Sequence, residues 1–175
     1  MPAPASLFPR LEPLLPTVSK PIQYVGGELN STVKEWDVAG DATVRWALMY
    51  PDAYEVGVPN QGVMILYEVL NERPDALAER TYAVWPDLEA LMREHGVPQF
   101  TVDAHRPVGD FDLIGMSFST ELGYTNMLTA LDLAGIPLHA ADRDESHPVV
   151  VAGGHAAFNP ETIAASIDAA GVGDG

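Results

Sequence analysis

The sequence predicts an α/β fold: an open, mostly parallel, five-stranded Rossmann-like sheet with helices on both faces, preceded by an irregular proline-rich arm. Three observations predict it. From Val44 onward, apolar runs of strand length alternate with segments of helical periodicity, the pattern of βαβ units. The runs are near-continuous rather than alternating, as strands buried on both faces of a sheet are. The residues before Val44 carry prolines at positions 2, 4, 9, 13, 16 and 21 and little periodicity.

Taken in order, residues 1–43 form the arm, in which Ile22, Tyr24 and Val25 are expected to make a short edge strand before Gly26 and Gly27. The first strand of the domain spanning 44–175 is Val44–Met49, interrupted only by Arg45 and ended by Pro51. Asn60 is placed to cap a helix whose apolar stripe is Val63, Leu66, Tyr67 and Leu70. Arg80–Trp85 reads as the second strand. Pro86 and Asp87 open a second helix, with Leu88, Leu91 and Met92 inward, a Glu89/Arg93 pair outward and Gly96 as its stop. Phe111–Phe118 is the third strand. Thr120 is expected to cap the next helix, which carries Tyr124, Met127, Leu128, Leu131 and Ala134 and ends at Gly135 before Pro137. Val149–Ala152 is a short fourth strand, and Asn159-Pro160-Glu161 starts a helix with Ile163 and Ile167 facing the sheet. Ala169–Gly173 makes the fifth strand, which predicts a neighbouring segment to cover the sheet beyond it.

Composition narrows the function. Against 25 acidic residues stand 9 basic ones, a net charge of -16, with only two lysines, Lys20 and Lys34. Neutralising phosphates requires a clustered basic face, so direct nucleic-acid binding is not expected. The chain has no cysteine, which excludes disulfides, thiol nucleophiles and thiolate ligation of an iron–sulfur cluster within it. No signal peptide and no membrane-spanning run is apparent, giving a cytoplasmic location as the expectation.

In an open parallel sheet, ligands bind outside the carboxyl ends of the strands. The loop after the first strand holds Asp52, Tyr54, Glu55 and Asn60; the loop after the third holds Ser117, Ser119, Thr120 and Glu121; the loop after the fourth holds Gly153 and Gly154. Small residues there let backbone approach a large ligand. Sharper motifs fail. Gly171-x-Gly173-x-Gly175 lacks the spacing of a dinucleotide fingerprint, and Gly115-x-Ser117-x-Ser119 lacks the last glycine of a nucleophile elbow. The five histidines show no metal-site spacing and read as surface or capping residues, and Asp142 and Asp144 read as solvated. Asp103-Ala104-His105 starts like the Asp-x-His-x-x-Gly element that places a histidine under cobalt. Its glycine, Gly109, comes one residue late and the element precedes the third strand, so it reads as a loop.

Several segments are informative in combination: Lys20-Pro21-Ile22-Gln23-Tyr24-Val25-Gly26-Gly27-Glu28, Tyr50-Pro51-Asp52-Ala53-Tyr54-Glu55-Val56-Gly57, Ala78-Glu79-Arg80, Phe111 to Ser117, Glu121 to Asn126, and Gly153-Gly154-His155 with Asn159-Pro160-Glu161. In this order they resemble the N-terminal half of a family of cobalamin-binding-type radical SAM proteins, from about Lys20 to the end. The resemblance implies a cobalamin-binding-like fold, with Gly173-Asp174-Gly175 as a hinge before a radical SAM barrel, acting in cis or in trans, that holds an iron–sulfur cluster and S-adenosylmethionine. It implies cobalamin as the cofactor of this domain. Ser117, Ser119, Thr120, Glu121, Gly153, Gly154 and Gly173 would line the pocket of the nucleotide tail, and Asp52, Tyr54, Glu55 and Asn60 would approach the corrin. The module would hold or orient a cofactor or substrate without being catalytic alone. The alternative is a degenerate domain that binds no cofactor and serves as an interaction scaffold through its fifth strand. A flavodoxin-like nucleotide binder is disfavoured by the lack of a phosphate loop.

Overall fold

The structure is a computed structural model that describes residues 3–173; of the expected hinge, Asp174 and Gly175 lie outside the described residues. Five parallel strands, β1 (Val44–Ala53), β2 (Ala76–Ala83), β3 (Leu113–Ser117), β4 (Val149–Gly153) and β5 (Ala169–Ala170), form one open sheet in the order β2-β1-β3-β4-β5. The chain leaves β1 for one edge and then crosses back beyond it to β3. The order therefore reverses between β1 and β3, and a crevice opens outside their carboxyl ends. The helices are α1 (Phe8–Leu11), α2 (Tyr54–Gly57), α3 (Gln61–Glu72), α4 (Pro86–His95) and α5 (Gly123–Leu133).

The two faces of the sheet are covered unequally. On one, Ala47 and Met49 of β1, Ile114 and Met116 of β3 and Val150 and Ala152 of β4 pack against Met127 and Leu131 of α5, with Ile163 and Ile167 from the connection to β5. On the other, Leu48, Tyr50, Ala78 and Tyr82 pack against Val63 and Tyr67 of α3. Beyond α3 this second face is partly open. Along β3 and β4 burial alternates, with Leu113, Gly115, Ser117, Val149, Val151 and Gly153 more exposed than their neighbours. Period-two alternation of this kind marks a sheet with one covered and one accessible face.

Local signals account for several boundaries. Asn60 caps α3, its side chain accepting from the Val63 amide at 3.1 Å. Pro86 opens α4, and Gly96, at φ 63°, closes it in the left-handed conformation. Other expectations need correction. Ile22–Val25 is not an edge strand: Pro21–Tyr24 forms a 3-10 turn with Gln23 and Tyr24 buried, and the Tyr24 hydroxyl accepts from the Trp85 amide at 3.1 Å. The flank of β2 is occupied instead by the 99–107 segment, whose Val102 amide donates to Arg80 O at 2.8 Å. β2 lies earlier than Arg80–Trp85, because Ala76–Tyr82 pairs in register with Val44–Tyr50 and Glu79 and Arg80 are buried within it. β1 continues past Pro51 to Ala53 through an irregularity in the register, where a missing amide is tolerated. Thr120 caps nothing with its side chain; α5 begins at Gly123 after a turn in which the Gly123 amide donates to Thr120 O. The segment after Asn159 forms two short 3-10 turns, Pro160–Thr162 and Ala164–Ser166, and β5 is two residues long.

The arm packs as part of the fold. Leu7, Leu11, Leu14, Leu15, Val18 and Tyr24 bury against Leu88 and Met92 of α4 and against Val97 and Phe100. Truncating a fully buried leucine removes both transfer energy and packing. Leu11→Ala is therefore expected to cost about 2–5 kcal/mol, read as a fall in the urea midpoint with unchanged slope.

Candidate functional site

The crevice is shaped by a splice between two loops. After β3 the Phe118 amide donates to Gly153 O at 2.8 Å, and the Ala156 amide donates to Phe118 O at 3.1 Å. Gly154 makes this possible, since at φ 91° it places its α-carbon against the Phe118 backbone, where a Cβ would sit 2.5 Å from the carbonyl oxygen. The neighbouring Gly153 is different: a Cβ there would meet nothing within 4 Å. It opens onto a trough of about 300 Å³ on the accessible face of the sheet. The floor is Trp46 and Leu48 of β1, Gly115 and Ser117 of β3 and Val151 of β4, and the wall is Leu66, Val69 and Leu70 of α3. The lining is almost entirely apolar, with the Ser117 hydroxyl at the rim.

The structure divides the expected site residues into four groups, with Ser117 shared by the first two. Ser117, Gly153 and Gly154 come together at the trough. Asp52, Ser117, Ser119 and Thr120 meet with Tyr50 around a small hollow at the reversal point, where the Tyr50 hydroxyl donates to Ser119 Oγ at 3.1 Å. Glu121 and Gly173 are exposed and line neither space. The remaining three already have partners within the chain. Asn60 is the α3 cap. Tyr54 donates to Glu28 Oε1 at 2.7 Å, and burial, reinforced by that bond, pushes its phenol up to about 12. Glu55 pairs with Lys20 at 2.5 Å, which holds its carboxyl below the usual range, and the same ammonium lies 4.2 Å from the centre of the Trp85 ring.

A buried charged cluster beneath the β1 loop has no signature in the sequence periodicity. Arg80, on β2, pairs with Asp103 Oδ1 at 2.7 Å, both side chains essentially inaccessible, and Glu28 Oε2 lies 3.6 Å away. Asp103 also accepts from the Arg80 amide, from Tyr67 and from Ser31, and the guanidinium stacks 4.4 Å from the Tyr67 ring centre. On the opposite face Glu79 is held by Arg106 at 2.5 Å and by Thr101. Glu28, Glu79, Arg80 and Asp103 fall in three segments singled out in the sequence, the one ending at Glu28, Ala78-Glu79-Arg80 and Asp103-Ala104-His105, but their role is internal. His105, expected as a surface or capping residue, is buried with φ 56°, its Nε2 2.9 Å from Tyr24 O. Neither Asp103 nor His105 is free to meet a metal at the rim, in keeping with the loop reading of their motif. Among the described residues no cluster of three His, Asp or Glu could hold a metal ion.

Burial raises the phenols of Tyr24, Tyr54, Tyr67 and Tyr82 above the usual 10.0. A folded-state pKa above the unfolded value contributes stability that is present below the unfolded pKa and lost as pH rises toward the folded one. Unfolding free energy is therefore expected to fall as pH climbs from 10 toward 12. Tyrosinate absorbance of these residues should appear together with loss of the far-ultraviolet circular dichroism.

A doubly wound parallel sheet reversing between β1 and β3, with a small-residue rim and an apolar trough beside it, defines an α/β domain of the open-sheet, Rossmann-like class. The family model for the N-terminal region of radical SAM proteins matches residues 62–175, more than half of the chain, and the chain belongs to that family. No curated protein matches it. Among the described residues no helix is long and apolar enough to cross a membrane.

Proposed function

We propose that this domain holds and orients cobalamin, or a substrate in its place, for a radical SAM domain in cis or in trans. Membership of the radical SAM N-terminal family supports the partner. One structural observation supports the cofactor: Ser117, Gly153 and Gly154, expected at the nucleotide tail, line one apolar trough of about 300 Å³ that runs along the accessible face of the sheet to the carboxyl ends of β3 and β4. A flat, apolar slot between α3 and the strands suits an aromatic heterocycle, and Gly153 contributes the missing side chain that leaves it open. Ser117 would meet the ligand's polar edge. On the corrin side, Asp52 at the rim is the residue best placed to take part, since Tyr54, Glu55 and Asn60 are committed within the chain. Cobalamin would supply the cobalt–carbon or methyl-transfer chemistry. The chain's own residues would exclude water and fix orientation, and the iron–sulfur cluster and S-adenosylmethionine would belong to the radical SAM domain, because a chain without cysteine offers no thiolate.

The test is titration with hydroxocobalamin, followed by visible absorption and calorimetry. Saturable binding is expected for the native chain and a loss of tenfold or more for Gly153→Phe, whose ring would fill the trough, at unchanged melting temperature. No spectral change and no heat at high micromolar ligand would reject the cofactor reading. The scaffold reading, contact through the fifth strand, has its support in the position of β5 at the edge of the sheet. It is favoured if Gly153→Phe leaves activity of the complete protein intact while substitutions along 169–173 abolish association with the radical SAM domain.

A further inference from the structure

A second cleft, of about 220 Å³, opens on the other side of the β1 loop, between the start of α4 and the middle of α5. Its polar groups are Asp52, Glu89, Gln99, Asn126, Thr129 and the indole nitrogen of Trp85, which is buried without a partner, and among the described residues no lysine or arginine lines it. The orientation of the amides and carboxylates is fixed by bonds elsewhere. The Gln99 amide nitrogen donates to Thr81 Oγ1 at 2.9 Å and to Tyr82 O at 2.8 Å, which turns Oε1 away from both. Gln99 is 1% exposed, and that oxygen is buried with no hydrogen-bond partner. The Asn126 amide nitrogen donates to Pro51 O at 3.0 Å, leaving its oxygen as an acceptor. Asp52 uses Oδ1 on the Ala53 amide, leaving the second oxygen and the charge. Glu89 shares Arg93 with Asp132. The cleft thus presents several acceptors, an excess of negative charge led by Asp52, and an orphan acceptor on Gln99 whose burial is costly unless it is paired.

We propose that this cleft binds a small organic cation, an alkylammonium or guanidinium group, through Asp52, Gln99 Oε1, Asn126 Oδ1 and the Thr129 hydroxyl. A negatively charged lining in which acceptors outnumber donors favours a donor-rich cation, and an ammonium or guanidinium supplies several donors with a matching charge. The volume is below that of a drug-sized pocket, which limits the ligand to a few carbon atoms beyond the cationic head. The position, outside the carboxyl ends of β1 and β2, is on the ligand-binding edge of an open sheet but separate from the trough. The inference shares Asp52 with the corrin side of the cobalamin reading but none of the trough residues, so Thr129→Leu tests the cleft and Gly153→Phe tests the trough separately.

The experiment compares n-butylammonium with 1-butanol in amide chemical-shift titrations of the uniformly labelled chain. Butylammonium is expected to shift the amides of Ala53, Asn126 and Thr129 saturably, at least tenfold more tightly than butanol. Asp52→Asn should weaken it by tenfold or more, and Thr129→Leu, which fills the cleft from a half-exposed position, should abolish it with the spectrum elsewhere unchanged. Equal affinity for butanol, shifts scattered over the acidic surface, or undiminished binding by both variants would each overturn the proposal. Because the two substitutions lie on different elements, a fold defect in one leaves the other decisive.

Discussion

Asp103→Ala is expected to lower the unfolding free energy by about 3–5 kcal/mol, the typical cost of breaking one side of a buried ion pair. The Arg80 guanidinium is 1% exposed, and Asp103 is its close partner at 2.7 Å, with Glu28 at 3.6 Å. Removing the carboxylate leaves a buried cation with one distant counter-charge and also strips an acceptor from the Arg80 amide, from Tyr67 and from Ser31. The arm enters the core through Glu28 and Ser31, so the loss should extend to docking of residues 20–35, visible as increased hydrogen exchange there. Urea denaturation of Asp103→Ala, Arg80→Met and the double variant Arg80→Met/Asp103→Leu checks the mechanism. Either single change should be far worse than the double, since replacing both charges with apolar groups removes the uncompensated burial. A single-variant loss under about 1 kcal/mol, the scale of exposed pairs, would contradict the buried arrangement.

Gly154→Ala is expected to cost about 2–4 kcal/mol, whereas Gly153→Ala, one residue away, should change stability by under about 0.5 kcal/mol. At Gly154 two penalties add. A φ of 91° is poorly accessible to an L side chain, and the added Cβ would stand 2.5 Å from Phe118 O and 3.1 Å from Phe118 C and N. These are backbone atoms that cannot turn aside, so the splice between the β3 and β4 loops must open. At Gly153 the Cβ enters open space, so the substitution is free structurally and felt only by a ligand. Thermal melting of the two variants separates the roles: a matched loss at both positions would mean that the trough is not open at Gly153.

Much of the fold was legible in the sequence because its signals are local. The apolar run before Pro51, the Asn60 cap, Pro86 and Gly96 around α4, and Met127 and Leu131 on one side of α5 each act over a few residues. Legibility failed where a residue type was decided by a distant partner. The second strand reads from Arg80, but it starts at Ala76 and takes in Glu79 and Arg80 as buried residues because Arg106 and Asp103 neutralise them. His105 read as a surface or capping histidine, since nothing local shows that Tyr24 O, 81 residues away, will meet its ring in the interior. The 159–167 segment carries helix-start residues yet folds as two 3-10 turns between β4 and β5.

The candidate site divides along the same line. Strand ends are local, so the sequence by itself determined the rim, placing Ser117, Gly153 and Gly154 on loops that an α/β sheet brings to one edge. It also determined the absence of thiolate chemistry and the strong negative charge, which depend on composition alone. Only the tertiary structure decided which rim residues remain available. Tyr54 and Glu55 are engaged by Glu28 and Lys20 of the arm, while Gly153 stays open because α3 covers only part of its face of the sheet. Gln99 and Asn126, silent in the sequence, became candidates once Thr81 and Pro51 fixed their amide nitrogens and left the amide oxygens as acceptors on residues that line a cleft. The physical reason is that periodicity and capping energies act within a turn or a strand, whereas the pairing that commits or frees a polar side chain is set by whichever group the packed core brings against it.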